Sequence, residues 1–144
     1  MGSETSLWNT FKRNMKPYGV YDRHEDKLNL GVPDVSYVMR NRISGWIELK
    51  YVVEYPKREN TLFRIKHFTQ EQKAWLRRRG TAGDNCWLLL QVGRHYWLFD
   101  WQGAQSIGKH CWADIECQSV AGWRSRMVWG QLAKYLDETL ILAY

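Results

Sequence analysis

The order of predicted elements places this chain of 144 residues in the α/β class, with a mixed central sheet flanked by helices. Three observations support this class. Apolar residues recur with helical spacing near both ends and in the middle of the chain, runs rich in β-branched and aromatic residues lie between them, and glycines or prolines mark many boundaries. The length suits one substantial core, so we predict a single domain over residues 1–144.

The first predicted helix begins at Ser6 as N-cap and ends before Pro17. Its apolar face consists of Leu7, Trp8, Phe11 and Met15. Residues 22–29 are mostly polar and carry no predicted element.

Two strands are predicted next, at Val35–Met39 and Gly45–Val53, because both segments are rich in β-branched and aromatic residues. The polar segment Arg40–Arg42 joins them as a hairpin connection. Pro56 closes the second strand, since proline cannot donate to a sheet ladder. A basic loop is expected over residues 57–67.

The second half of the chain is predicted to contain one helix, two strands and a final helix. The predicted ranges are Thr69–Arg79 for the helix, Cys86–Val92 and His95–Trp101 for the strands, and Val120–Thr139 for the final helix. Residues 102–118 are expected to be irregular. Most of the nine tryptophans lie in apolar runs or on apolar helix faces, which favours burial over base stacking.

Pro33-Asp34 and Glu48-Leu49-Lys50 carry two carboxylates and an ammonium group. Because strand side chains alternate between faces, Glu48 and Lys50 project from one side, whereas Leu49 faces the core. Carboxylate oxygens bind hard divalent cations, which activate water and neutralise charge on a phosphate. The pattern therefore suits a magnesium-dependent phosphodiesterase, provided that the register of the hairpin brings Asp34 near Glu48.

Three ordered blocks resemble the PD-(D/E)XK nuclease superfamily: Gly31–Val35, which contains Pro33-Asp34, Gly45–Lys50 and Phe68–Gln72. More narrowly, they look like the small phage-encoded nucleases of the virus-type replication-repair group and like Holliday-junction resolvases. The resemblance covers about residues 20 to 100 and implies a restriction-endonuclease-like core.

The resemblance also implies roles for individual residues. Asp34 and Glu48 would bind Mg²⁺, for which Mn²⁺ can substitute, and the backbone carbonyl of Leu49 would add a ligand. Lys50 would position or deprotonate the attacking water, or stabilise the charged phosphate.

Two features of the implied site stay open. Gln72 matches a family glutamine that faces the site, but Thr69-x-x-Gln72 is also a capping box. Many members add an acidic residue from an N-terminal helix, and both Glu4 and Glu25 are candidates here.

The net charge of +6 and the pI near 9.3 favour a polyanionic partner. We expect this partner to be DNA, including branched DNA. The candidate DNA-binding residues are Arg40, Arg42, Lys57, Arg58, Arg64 and Lys66. The three cysteines lack the spacing of a disulfide framework or a zinc site. No segment resembles a membrane span or a signal peptide, so we expect the protein in the cytoplasm of the host cell if a phage encodes it.

The leading hypothesis is a magnesium-dependent DNA endonuclease, selective for branched intermediates such as Holliday junctions in phage replication or recombination. A homodimer with two active sites is expected, with Met127, Trp129, Leu140, Ile141 and Leu142 as candidate interface residues. One alternative is a basic nucleic-acid-binding module without catalysis. Another is a small assembly protein whose tryptophans form a protein interface.

Overall fold

A computed structural model describes residues 2–25 and 30–138 of the protein. Five helices lie in this part of the chain: α1 (Glu4–Met15), α2 (Gln70–Thr81), α3 (Trp101–Ala104), α4 (Trp112–Glu116) and α5 (Trp129–Asp137). A 3-10 turn, Lys16–Tyr18, follows α1. The strands are β1 (Gly19–Arg23), β2 (Val35–Met39), β3 (Ser44–Val52), β4 (Cys86–Val92), β5 (His95–Asp100) and β6 (Ala121–Trp123).

The six strands form one sheet in sequence order, β1 to β6. Within the described residues, β3 and β4 pair in parallel and all other neighbours pair antiparallel. A parallel pair needs a crossover connection, and the segment that contains α2 provides it. The predicted architecture, a mixed central sheet flanked by helices, is therefore confirmed.

Each face of the sheet has its own hydrophobic core. Helices α1 and α5 pack on one face, here called the α1 face, and α2, α3 and α4 cover the other, called the α2 face. Ile47 and Leu49 of β3 belong to the core on the α1 face. The alternation of strand side chains turns Glu48 and Lys50 toward the α2 face. The prediction that Leu49 faces the core is confirmed.

The strongly patterned elements have nearly the predicted bounds. β2 and β4 match the predicted ranges at both ends, and β3, β5 and α2 differ from them by one or two residues. Burial is confirmed for five tryptophans, whose exposed fractions are 8% or less: Trp8, Trp75, Trp87, Trp97 and Trp123. No helix in the described ranges is long and apolar enough to cross a membrane.

The N-cap of α1 is Ser3, so the prediction of Ser6 is wrong by one turn. The hydroxyl of Ser3 accepts a hydrogen bond from the Ser6 amide at 3.0 Å, and the Ser3 amide donates to the Ser6 hydroxyl at 2.8 Å. Ser6 thus occupies the third helical position of a reciprocal capping box.

Strand β1 was not predicted, because only its pairing with β2 defines it. It is an edge strand whose partners run from Gly19↔Met39 to Arg23↔Val35. Its side chains are mostly polar or exposed, including Val20 at 65% exposure. A half-solvated edge strand gives little hydrophobic alternation in the sequence.

The predicted final helix, Val120–Thr139, is wrong in its first half. Trp123 lies in β6 opposite Tyr96, and α5 begins only at Trp129. Residues 102–118, expected to be irregular, contain α4 and the end of α3. The candidate interface residues Met127 and Trp129 pack against the core of the α1 face, and Leu140, Ile141 and Leu142 lie outside the described residues.

Gly31 fixes the loop that leads to Asp34. Its φ is +90°, and a Cβ atom would overlap the carbonyl oxygen of Glu71 in α2. Gly83 has a similar φ of +102°, but no described residue other than its chain neighbours lies within 4 Å of its Cβ position.

Gly31→Ala is expected to lower the free energy of unfolding by about 2 kcal/mol or more, because backbone strain and a steric clash add. Gly83→Ala is the matched control and is expected to cost about 1 kcal/mol from strain alone. Urea unfolding of both variants measures the difference. Equal losses would show that the loop does not pack against α2 in this way.

Candidate active site

The pairing of β2 with β3 brings Asp34 and Glu48 together. The register runs Val35↔Ile47 and Ser36↔Trp46, so one further step sets Asp34 opposite Glu48. Residues opposite each other in an antiparallel pair project from the same face. The register required by the sequence pattern is therefore present, and the two carboxylates lie on the α2 face.

Strand β3 extends beyond β2, and Asp34 occupies the free edge that results. The Leu49 amide has no partner on β2 and donates instead to Oδ2 of Asp34 at 2.9 Å. The amide and carbonyl of one strand residue point to the same side. The Leu49 carbonyl is thus directed toward the side where Asp34 lies.

Glu48 is a fully buried carboxylate, with 0% exposure. Neither of its oxygens accepts a hydrogen bond from the described residues. Burial raises the pKa of Glu48 well above its usual value, and the adjacent Asp34 carboxyl raises it further, whereas Lys50 lowers it. A buried carboxylate without donors is costly, so these oxygens are suited to a bound cation.

The ammonium group of Lys50 is held by three parts of the chain, and its residue is only 2% exposed. Nζ donates to the His67 carbonyl at 2.8 Å and lies 3.7 Å from Oε1 of Glu48. It also lies 3.8 Å from Oε1 of Glu4 and 5.9 Å from the ring centroid of Phe68. These contacts fix a positive charge beside the carboxylate pair.

The two candidate acidic residues have different surroundings. Glu4, in the first turn of α1, approaches Lys50 and helps to raise the pKa of Glu48. Glu25 pairs with Arg23 at 3.7 Å, and its side chain is 77% exposed. Of the two, the structure brings Glu4 to the Glu48–Lys50 pair.

Gln72 takes part in the capping box of α2. The Thr69 amide donates to Oε1 of Gln72 at 2.9 Å, and the Gln72 amide donates to the Thr69 hydroxyl at 3.2 Å. Among the hydrogen bonds of the described residues, none joins the Gln72 side chain to Asp34, Glu48 or Lys50.

His24 supports Asp34, a role that was not predicted. Its amide extends the β1–β2 ladder by donating to the Asp34 carbonyl at 2.7 Å. Its ring nitrogen Nε2 lies 2.7 Å from the Ser36 hydroxyl, and the ring packs against Trp46. His24 follows a strand that was not predicted, so only the β1–β2 pairing reveals its position.

The six predicted DNA-binding residues are all exposed but are not gathered at one place. Arg40 and Arg42 lie beyond the opposite end of β2 from Asp34, where Arg40 borders a groove of about 830 Å³ together with Lys12, Arg13 and Lys16. Lys57 and Arg58 lie in the segment between β3 and α2. Arg64 and Lys66 line a separate cavity beside Phe68.

The donor set suits a cation that keeps part of its water shell. In residues 2–25 and 30–138, no group of three or more His, Cys, Asp or Glu side chains is arranged to hold a metal ion. Two carboxylates and a backbone carbonyl are appropriate for Mg²⁺, which commonly binds through one or two carboxylates and several waters. They do not provide the nitrogen and sulfur ligands of a structural zinc site.

No protein-family model and no curated protein matches the chain. Among solved structures, it is similar to Hjc, a Holliday junction resolvase of Archaeoglobus fulgidus. The TM-score is 0.48 and the sequence identity 16%, with 71% of this chain and 75% of the resolvase covered.

The raised pKa of Glu48 predicts how stability depends on pH in metal-free solution. The native state keeps the Glu48 proton to a higher pH than the unfolded chain does, so the unfolded state binds fewer protons in this window. The free energy of unfolding should therefore fall as the pH rises above about 4.3, the usual pKa of a glutamate.

Urea unfolding in EDTA from pH 4.5 upward measures this slope. Glu48→Gln is expected to flatten it, and Glu54→Gln, at an exposed carboxylate beyond β3, should leave it unchanged. The same slope in the parent protein and in Glu48→Gln would show that Glu48 is not the group responsible.

Proposed function

We propose that this protein is a metal-dependent DNA endonuclease of the PD-(D/E)XK type that uses Mg²⁺. The observation that carries the proposal is the buried Glu48 carboxylate, which accepts no hydrogen bond from the part of the chain that the structure describes and lies opposite Asp34. Three further observations support it. Asp34, Glu48 and Lys50 occur in the expected order, they share one face of the sheet, and their sequence blocks resemble those of that superfamily.

Asp34, Glu48 and the Leu49 carbonyl would hold the metal ion. When bound, Mg²⁺ lowers the pKa of water and neutralises negative charge on a phosphate. The hydrogen bond from the Leu49 amide fixes the orientation of the Asp34 carboxylate. Burial keeps Glu48 free of competing water.

Lys50 provides the positive charge for the reaction. Its contacts with His67 and Glu4 restrain the ammonium group, so little rearrangement is needed when charge develops on the phosphate. In the hydrolysis, the water oxygen forms a bond to phosphorus, the bond from phosphorus to one sugar oxygen breaks, and that oxygen takes up a proton. Lys50 is placed to orient the water or to stabilise the negative phosphate oxygens.

DNA is the proposed substrate because the protein has a net charge of +6 and its candidate DNA-binding cations are exposed. We extend the proposal to branched DNA, such as Holliday junctions in phage replication or recombination, on the resemblance of the sequence blocks. A homodimer would provide two active sites for two strands. The tryptophans are mostly buried within the chain itself, which disfavours the assembly protein.

Cleavage of labelled linear, single-stranded and four-way-junction DNA tests the function. With Mg²⁺ or Mn²⁺ we expect cutting that favours the junction, and with EDTA none. Asp34→Ala and Glu48→Ala should reduce cleavage to background, and Lys50→Ala should slow it by about 100-fold. Each variant should still bind DNA.

Glu54→Ala is the matched control, since it removes an exposed carboxylate near the end of the same strand. Mg²⁺ should also raise the melting temperature of the parent protein but not that of Glu48→Gln. DNA binding without metal-dependent cutting would instead support the non-catalytic module, and cutting by Asp34→Ala would exclude the proposed site.

A paired substitution tests which acidic residue supports the site. Glu4→Gln is expected to lower activity by about 10-fold, because Glu4 restrains Lys50 at 3.8 Å. Glu25→Gln should have no effect, since Glu25 pairs with Arg23 at the surface. Cleavage rates at several Mg²⁺ concentrations measure both variants, and the reverse ranking would contradict the placement of α1.

A further inference from the structure

A cationic site separate from the candidate active site lies on the α2 face, in a cavity of about 290 Å³. Among the described residues that line it, four carry cationic side chains and none is an aspartate or a glutamate. We call it the four-cation pocket, defined by Arg64, Lys66, Lys73 and Lys109. We propose that this pocket binds a phosphate group of a nucleic acid strand. The choice of nucleic acid as ligand rests on the proposed function.

Lys73 forms the base of the pocket and is only 6% exposed. Its ammonium group donates to the Ile107 carbonyl and lies 5.6 Å from the ring centroid of Phe68. An ammonium group has three donors, and no other hydrogen bond from Nζ occurs within the described residues. A buried cation therefore has donors available for a ligand.

Gly108 leaves room for this ammonium group. Its φ is +85°, which favours glycine, and a Cβ atom there would lie 3.3 Å from Nζ of Lys73. The Gly108 amide donates to the Phe63 carbonyl at 2.7 Å, which fixes the backbone at this point. Gly108 thus allows the backbone of the pocket wall to pass close to the Lys73 ammonium group.

Within the described ranges, no carboxylate forms an ion pair with the positive charges of the pocket. The ion pairs found in the described part of the chain involve none of the four residues. Burial lowers the pKa of Lys73, and the nearby charges of Lys109 and Arg64 lower it further. Like charges held close together at a buried site repel each other, and an anion bound between them offsets this repulsion. A phosphate oxygen would supply the missing negative charge.

The pocket adjoins the proposed active site. The ring of Phe68 lies near both ammonium groups, 5.9 Å from Nζ of Lys50 and 5.6 Å from Nζ of Lys73. Gln70, the first residue of the 12-residue helix α2, also lines the pocket, and a helix N-terminus favours anions. A nucleic acid strand with one phosphate attacked near Lys50 can therefore place another of its phosphates in the pocket.

The test measures DNA binding in EDTA, so that it does not depend on cleavage. The affinity of a labelled single-stranded oligonucleotide is determined at several salt concentrations for Arg64→Gln and Lys109→Gln. Both side chains are exposed, so these variants are expected to fold even if Lys73→Met does not. Lys134→Gln is the matched control, because it removes one charge from α5 on the opposite face.

Each lost phosphate contact should weaken binding and reduce the slope of log K against log salt by about 0.7. We expect this change for Arg64→Gln and Lys109→Gln and no change for Lys134→Gln. If the pocket variants keep the slope of the control, the inference is wrong, even if the protein cleaves DNA. If the slopes change but no cleavage occurs, the pocket stands and the nuclease proposal fails.

Oligonucleotides with a 5′-phosphate or a 5′-hydroxyl identify the source of the phosphate. If the pocket binds phosphates within the nucleic acid strand, the pocket variants reduce the slope of log K against log salt equally for both oligonucleotides. If it binds a terminal phosphate, they reduce the slope only for the 5′-phosphorylated oligonucleotide. Either result supports a phosphate site, and equal binding by parent and pocket variants in both series contradicts it.

Discussion

The antiparallel register of β2 against β3 is the constraint on which the candidate site depends. It sets Val35 opposite Ile47 and thereby Asp34 opposite Glu48. A slip by one residue would turn every side chain of β2 to the other face. Burial of Val35, Tyr37 and Met39 in the core of the α1 face opposes such a slip, and the hydrogen bond from the Trp87 indole to the Tyr37 hydroxyl, at 2.9 Å, adds a polar restraint. Core packing on one face thus determines which side chains lie on the other.

The sequence was most informative where burial imposes a strong period. The alternation around Glu48 and the apolar run of β4 predicted their strands, and the β2–β3 register places Asp34 and Glu48 on one face, as the hypothesis required. A half-solvated edge strand such as β1 shows no such period in its sequence, so β1 and the position of His24 were not predicted. Trp123 fitted a helical stripe, yet its pairing with Tyr96 places it in β6. Long-range contacts, such as that of Glu4 with Lys50, have no local signal at all.

Two neighbouring sites on the α2 face contain buried charges of opposite sign. The buried or half-buried carboxylates of the site, Glu48 and Asp34, lie beside a single buried ammonium group, that of Lys50. Across the ring of Phe68, Lys73 is buried among cations instead. A divalent cation at the first place and a phosphate at the second would each reduce the cost of buried charge. The two sites therefore have opposite electrostatic requirements although one aromatic ring separates them.

The crossover segment between the parallel strands β3 and β4 also affects when the surroundings of Lys50 are completed. The contacts that restrain Lys50 come from α1 and from His67 and Phe68 in the crossover before α2. Loop-closure entropy opposes contacts of such sequence separation. During synthesis, a chain that has emerged only as far as β3 contains the acidic pair and the lysine but not His67 and Phe68, which provide two of the contacts of Lys50. The surroundings of Lys50 are thus a property of the completed tertiary structure, and an unfinished chain would not yet have them.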